Sequence, residues 1–128
     1  KVYDGAVRGG FYGFAIHHIP EENEGLSSPA FVEALRKEGL PAHLSGYPLL
    51  HSLPIFAEGF DLFTRNRGPL CGDYKGYKKG DFPVSEKMLE HLVFLPVLSD
   101  PVPDASERVL EAIKKVAKHA GQLASVNS

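Results

Sequence analysis

The chain has 128 residues, 43% of them hydrophobic and 23% charged, with 14 basic against 16 acidic side chains. That length suits one domain with a viable core, and a net charge of −2 leaves no electrostatic footprint for nucleic acid or an anionic membrane. No apolar run approaches the roughly 18 residues of a membrane span and no basic start leads into an apolar signal segment, so the expected setting is cytoplasmic.

The first element is the run from Phe11 to Ile19, aromatic and β-branched and stopped by Pro20, which predicts a strand. Alternation puts Phe14, Ile16 and His18 on one face and Ala15, His17 and Ile19 on the other. A polar loop, Glu21 to Ser27, leads to a helix with Ser28 as N-cap, Pro29 at the first helical position and Gly39 at its end. Phe31, Val32 and Leu35 make its buried stripe, and Glu33, Arg36, Lys37 and Glu38 face water. Leu40 to Leu44 reads as a short strand, and a turn at Ser45 to Pro48 leads into Leu49 to Phe56.

Between Gly59 and Asp81 the periodicity is lost, and Arg65, Arg67, Lys75, Lys78 and Lys79 alternate with Gly and Pro in a long irregular loop. A helix from about Pro83 to His91 is expected to bury Val84, Met88 and Leu89. Val93 to Leu98 predicts a strand that Pro96 places at an edge or a bend. The last helix carries a capping box, Asp104 with Glu107, and an apolar stripe of Val109, Leu110, Ile113, Val116, Ala117 and Ala120. Gly121 should close it and leave residues 122–128 as a frayed tail. The 13 glycines and 10 prolines are spread along the chain, as in a fold with many turns. The expectation is a single α+β domain over residues 1–128, a small sheet packed against helices.

The single Cys71 excludes an intrachain disulfide and any Cys-based zinc ligand set. Without a base brought beside it, a lone thiol reads as inert. His17 and His18 point to opposite faces of a strand, no His-x-x-x-His spacing occurs, and a protein-borne metal site is not expected. His119 is placed to interact with a helix C-terminus. The lysines and arginines of the 59–81 loop lack a phosphate-binding pattern and read as a solvated surface. His43, Tyr47, Pro48 and His51 instead concentrate polar and aromatic groups in a turn-rich stretch after a short strand, where a rigid scaffold would present them to a substrate. The competing reading has His51 capping local backbone and Tyr47 packing.

Three stretches carry a family resemblance: Phe31 to Pro41 (FVEALRKEGLP), Tyr47 to Phe56 (YPLLHSLPIF), and Phe82 to Pro96 (FPVSEKMLEHLVFLP). With the final helix, they resemble the C-terminal region of the DegT/DnrJ/EryC1/StrS sugar aminotransferases over residues 9–120. Cys71 to Tyr77 (CGDYKGY) is similar to the variant loop of inosose-type and aminohydroxybenzoate-type members. Gly46 departs from the common pattern, which has His before the Tyr.

The resemblance implies the C-terminal small domain of a fold-type I enzyme that uses pyridoxal 5′-phosphate to pass an amino group from glutamate or glutamine to a keto-sugar or keto-cyclitol. Its Schiff-base lysine, pyridine-nitrogen Asp, ring-stacking group and phosphate cup belong to a large domain upstream. The expected partners are therefore that domain, or a homodimer mate, and the sugar, with no cofactor on this chain alone and no nucleic acid or membrane. Lys1, with no Met before it, then reads as a start within a longer protein. Tyr47, Pro48 and His51 would line the mouth of the substrate cleft. Lys114, Lys115 and Lys118 lie on a solvent-facing helix surface, and Lys75, Lys78 and Lys79 have no recognisable partner, so isolated transamination is not expected. A freestanding sugar- or protein-binding module derived from the same domain stays open. A hydrolase using Cys71 or a histidine is the weakest alternative, because no nucleophile–base pair is visible.

Overall fold

The computed structural model describes residues 3–5, 12–59, 65, 74–98 and 102–126. Its fold is α+β, with helices packed on a small antiparallel sheet. The chain divides into two compact units, Lys1–Leu44 with His91–Ser128, and Ser45–Glu90. Much of the irregular stretch, including Arg67 and Cys71, lies outside the described residues, as does Phe11.

In the first unit, strands β1 (Phe14–His17), β2 (His43–Leu44) and β3 (Leu92–Leu95) are ordered β1-β3-β2, and both pairs are antiparallel. Ile16 and Leu44 both sit opposite Val93, which is fully buried, and Leu95 is buried beside them. A strand paired on both edges needs an unbroken row of N–H donors. That is why β3 ends at Leu95, and Pro96, expected to mark an edge or a bend, follows the central strand of the sheet. β2 is shorter than the expected Leu40–Leu44, because Leu40 and Ala42 turn into the core, with the Ala42 N–H donating to Leu40 O at 2.7 Å.

Helix α1 (Ser28–Lys37) buries Phe31, Val32 and Leu35 and exposes Glu33, Arg36 and Lys37, as its spacing predicts. Its N-cap is Ser27 rather than Ser28: Ser27 is extended, and its hydroxyl accepts from the Ala30 N–H at 3.4 Å. Ser28 is the first helical residue and is buried, its hydroxyl turned to His18. At the other end Gly39 adopts φ +82°, which lets Gly39 N–H reach Arg36 O at 3.0 Å and Leu40 N–H reach Leu35 O at 2.9 Å. This paired closure brings Leu40 back onto the core.

Helix α2 (Pro54–Ala57) and α3 (Pro83–His91) follow, then α4 (Ala105–Lys118) and α5 (Ala120–Val126). Three expectations for the last segment change. The capping box does not form: Asp104 has φ +58°, outside the extended geometry of a cap, and its side chain makes no capping bond. The buried arc of α4 is centred on Ala112 and Val116, with Val109 and Ile113 packed beside them. Leu110 is 53% exposed and Ala117 exposed, since each lies one residue, about 100°, past a residue of that arc. Gly121 does not end the helical region, because Ala120, Leu123 and Ala124 carry an i, i+3, i+4 apolar spacing onto the core as α5. The interruption falls at His119, whose Nδ1 bonds Lys115 O at 2.9 Å, in keeping with a structural role at a helix end. α3 spans its expected residues, but none of them is buried: Val84 is 76% exposed, Met88 is exposed and Leu89 half-buried.

His18, buried just past β1, joins these parts. Its ring stacks on Phe31 at 4.4 Å, and its backbone N–H donates to His91 O at 2.8 Å while His91 Nδ1 bonds back to His18 O at 2.9 Å. Asn23 Nδ2 donates to His18 Nε2 at 3.0 Å, so the ring proton lies on Nδ1 and points to Ser28 Oγ at 3.1 Å. Burial holds this imidazole below its ordinary pKa of 6.5, helped by His91 and His17 and opposed by Glu21.

Two outcomes follow for stability. Leu35→Ala should cost about 2–5 kcal/mol, whereas Leu110→Ala should stay within about 0.5 kcal/mol, read from urea midpoints. Because His18 binds its proton less readily folded than unfolded, its contribution is complete above pH 6.5 and is lost as the pH falls below that value. His18→Gln should flatten the acid side of the stability profile, and an unchanged profile would rule this histidine out as its cause.

Candidate functional site

The second unit presents its polar groups through two short helical segments. Leu49 is extended before a 3₁₀ turn at Leu50–Ser52, and the Ser52 hydroxyl donates to Leu49 O at 2.7 Å. Pro54 then opens α2 at a position where its missing N–H costs nothing. This pair of turns directs His51 inward, where its side chain is 10% exposed.

His51 Nε2 lies 3.1 Å from Glu86 Oε1, in the first turn of α3. The Gly80 N–H donates to the same oxygen at 2.8 Å. Gly80 is set by a turn in which Lys78 N–H reaches Asp81 Oδ2 at 2.9 Å. The backbone donor at Gly80 is the main reason the Glu86 carboxyl lies below its ordinary 4.5; burial opposes this, and the His51 bond and the Phe82 backbone add to it. An ionised carboxylate only accepts, so His51 carries a proton on Nε2. The Phe82 ring leans on His51 at 4.8 Å and 41°, and Tyr77 meets Phe82 edge-on at 5.2 Å.

The segment under this aromatic row is held to α2. Tyr74 Oη donates to Phe56 O at 2.6 Å and Tyr77 N–H to the same carbonyl at 3.2 Å. Between them Gly76, at φ +66°, passes so close to the Ala57 carbonyl that any Cβ would collide with backbone. Burial and the neighbouring Tyr77 raise the Tyr74 phenol above its ordinary 10.0.

Beside the dyad is a cleft of about 280 Å³, walled by Leu49 and Leu89, with His51, Glu86 and Lys79 among its polar lining. Of the four residues expected to meet a substrate, His51 lines this cleft. Tyr47, 69% exposed, and Pro48, also exposed, precede it on the same unit. His43 belongs to the first unit, where it stacks on Phe94 at 5.4 Å and 15°. Glu86 and Lys79 had no assigned role in the sequence. Glu86 is 35 positions from its histidine, beyond any local spacing; the signal present was a carboxylate in the first turn of a helix, next to a glycine-bearing turn.

Every lysine from Lys37 to Lys118 is exposed, Lys37 beside Glu33 and Lys115 bonded to Glu38 at 2.7 Å. None of them has the desolvated surroundings that lower a lysine pKa. Among the described residues no three His, Cys, Asp or Glu side chains converge as metal ligands. No helix among them is long and apolar enough to cross a membrane. In comparisons with protein families, curated proteins and solved structures, nothing matches the chain.

The Glu86 carboxylate is stabilised in the folded chain, so what it contributes is present above pH 4.5 and is lost as the pH falls below that value. The Gly80 amide resonance should report it, moving with a midpoint below 4.5 in the wild type and losing the transition in Glu86→Gln. A midpoint above 4.5 would remove the Gly80 bond as the governing interaction.

Proposed function

We propose that the chain is the C-terminal small domain of a sugar aminotransferase, and that its Tyr47–His51 turn faces the keto-sugar or keto-cyclitol that accepts the amino group. The observation that supports this reading is the His51–Glu86 bond. Two of the stretches that carry the resemblance, one holding Tyr47, Pro48 and His51 and the other Phe82 to Glu86, are far apart in sequence and meet there at 3.1 Å. A chance likeness scattered along a chain has no reason to converge on one hydrogen bond beside a cleft.

In this reading the pyridoxal phosphate, its lysine and its phosphate cup belong to a large domain, and the complete enzyme is a cytosolic dimer. The cofactor, when bound there, serves as the electron sink for amino transfer. The present chain binds and orients the substrate. The exposed Tyr47 ring offers an apolar face to the C–H side of a sugar ring, and His51 offers a hydrogen-bonding nitrogen whose orientation is set by Glu86. Polar groups fixed in this way discriminate hydroxyl patterns, because a ligand lacking the matching group leaves a desolvated partner unpaired.

The test is a graft. Joined to the large domain of a sugar aminotransferase in place of that enzyme's own small domain, this chain should support amino transfer to a keto-sugar. Tyr47→Ala in the graft should raise KM about tenfold, equivalent to about 1.4 kcal/mol of binding. The chain alone, titrated with pyridoxal phosphate, should give no stoichiometric Schiff-base band. A band that borohydride traps at one lysine, or a folded but inactive graft, would defeat the proposal. A folded graft that stays inactive while the chain alone binds a sugar would favour the freestanding module instead.

A further inference from the structure

We propose that Glu86 is a positioning residue that prepares His51 to accept a hydrogen bond from a hydroxyl group of a cyclic polyol in the adjacent cleft. This rests on the substrate-facing role given to His51 above and extends it to the hydrogen-bond polarity of the site. With Nε2–H committed to Glu86, a neutral His51 has only Nδ1 left, and Nδ1 in that tautomer is an acceptor.

The carboxylate is well suited to this role because it is held independently of the histidine. Gly80 N–H grips Oε1 at 2.8 Å, shorter than the 3.1 Å to His51, so the ring conforms to an oxygen already fixed by backbone. Phe82 restrains the imidazole plane from the side. The Ser52 hydroxyl, next to His51 in the lining, donates its proton to Leu49 O and keeps only acceptor capacity toward the cleft.

The rest of the cleft fits the same ligand class. Leu49 and Leu89 provide apolar walls for the C–H faces of a saturated ring, and Lys79 adds a donor for a second oxygen. At about 280 Å³ the space is close to the lower end of small-ligand pockets, roughly 300 Å³. It admits a single ring rather than a nucleotide. A polyol brings hydroxyls that both donate and accept, which matches a lining with an ammonium donor at Lys79 and acceptors at His51, Ser52, Glu86 and Glu90.

The experiment uses the ¹⁵N-labelled full chain and two probes, myo-inositol and glucose. In its neutral form the His51 ring should show a protonated Nε2 and an unprotonated Nδ1. Glu86→Gln keeps an acceptor oxygen in place and should preserve that pattern, whereas Glu86→Leu and Glu86→Asp should give mixed tautomers. Retained dispersion of the Tyr74 and Tyr77 resonances shows which variants keep the unit folded. Saturating either polyol should move the His51 Nδ1 resonance in the wild type and in Glu86→Gln, and binding should weaken about tenfold in the folded tautomer-mixed variants, the loss expected for one hydrogen bond. A proton on Nδ1 in the wild type, or undiminished polyol binding in those variants, overturns the proposal. Shifts at Tyr47 without any at His51 also overturn it, while leaving the sugar-facing reading intact. If neither polyol moves any resonance of residues 45–90, the sugar-facing reading falls with it.

Discussion

The first unit depends on the double pairing of β3. A four-residue strand buries little by itself, but Val93 is opposed by Ile16 on one side and Leu44 on the other, and both pack against the core cluster that holds Val93 with residues of α1 and α4. Antiparallel bonds on both edges satisfy the backbone of the most buried strand, so its burial carries no polar debt. The helices then have a fixed surface on which to lay Phe31, Leu35, Ala112 and Val116. His18 extends that arrangement by tying the end of β1 to the end of α3 through two backbone carbonyls and to α1 through Ser28.

In the second unit a single carboxylate oxygen plays the comparable part. Glu86 Oε1 collects a donor from a tight turn and another from His51, and the aromatic row Tyr74, Tyr77, Phe82 ends against the His51 ring. The unit has few buried apolar side chains among its described residues, so directional bonds and ring contacts set its geometry. This is a local order suited to holding a polar side chain in one tautomer.

Legibility followed the range of the interaction. α1 was readable almost residue by residue, since its stripe, its proline and its closing glycine are all encoded within about twelve positions. The central place of β3 was not, because Pro96 suggests an edge or a bend and only the partners at residues 14–17 and 43–44 place the strand in the middle. α5 was missed by giving Gly121 more weight than the apolar spacing of Ala120, Leu123 and Ala124 around it. Val84 and Met88 were expected to be buried and are exposed, because spacing cannot say whether anything covers a face. At the site, His51 stood out from its turn-rich setting, whereas Glu86 resembled any solvated helix carboxylate until the fold brought Gly80 and His51 to it.

The pairing of Phe14 with Leu95 also sets an order of events for the chain. β1 is made before its hydrogen-bonding partner, which comes some eighty residues later with the whole of Ser45–Glu90 in between. Closing so long a loop costs entropy before any burial offsets it, and contacts of that separation slow folding. During synthesis the inner face of β1 must therefore wait, unpaired, until Leu95 has left the ribosome. Residues 45–90, complete by then, shorten the distance the two ends must search if they have already become compact.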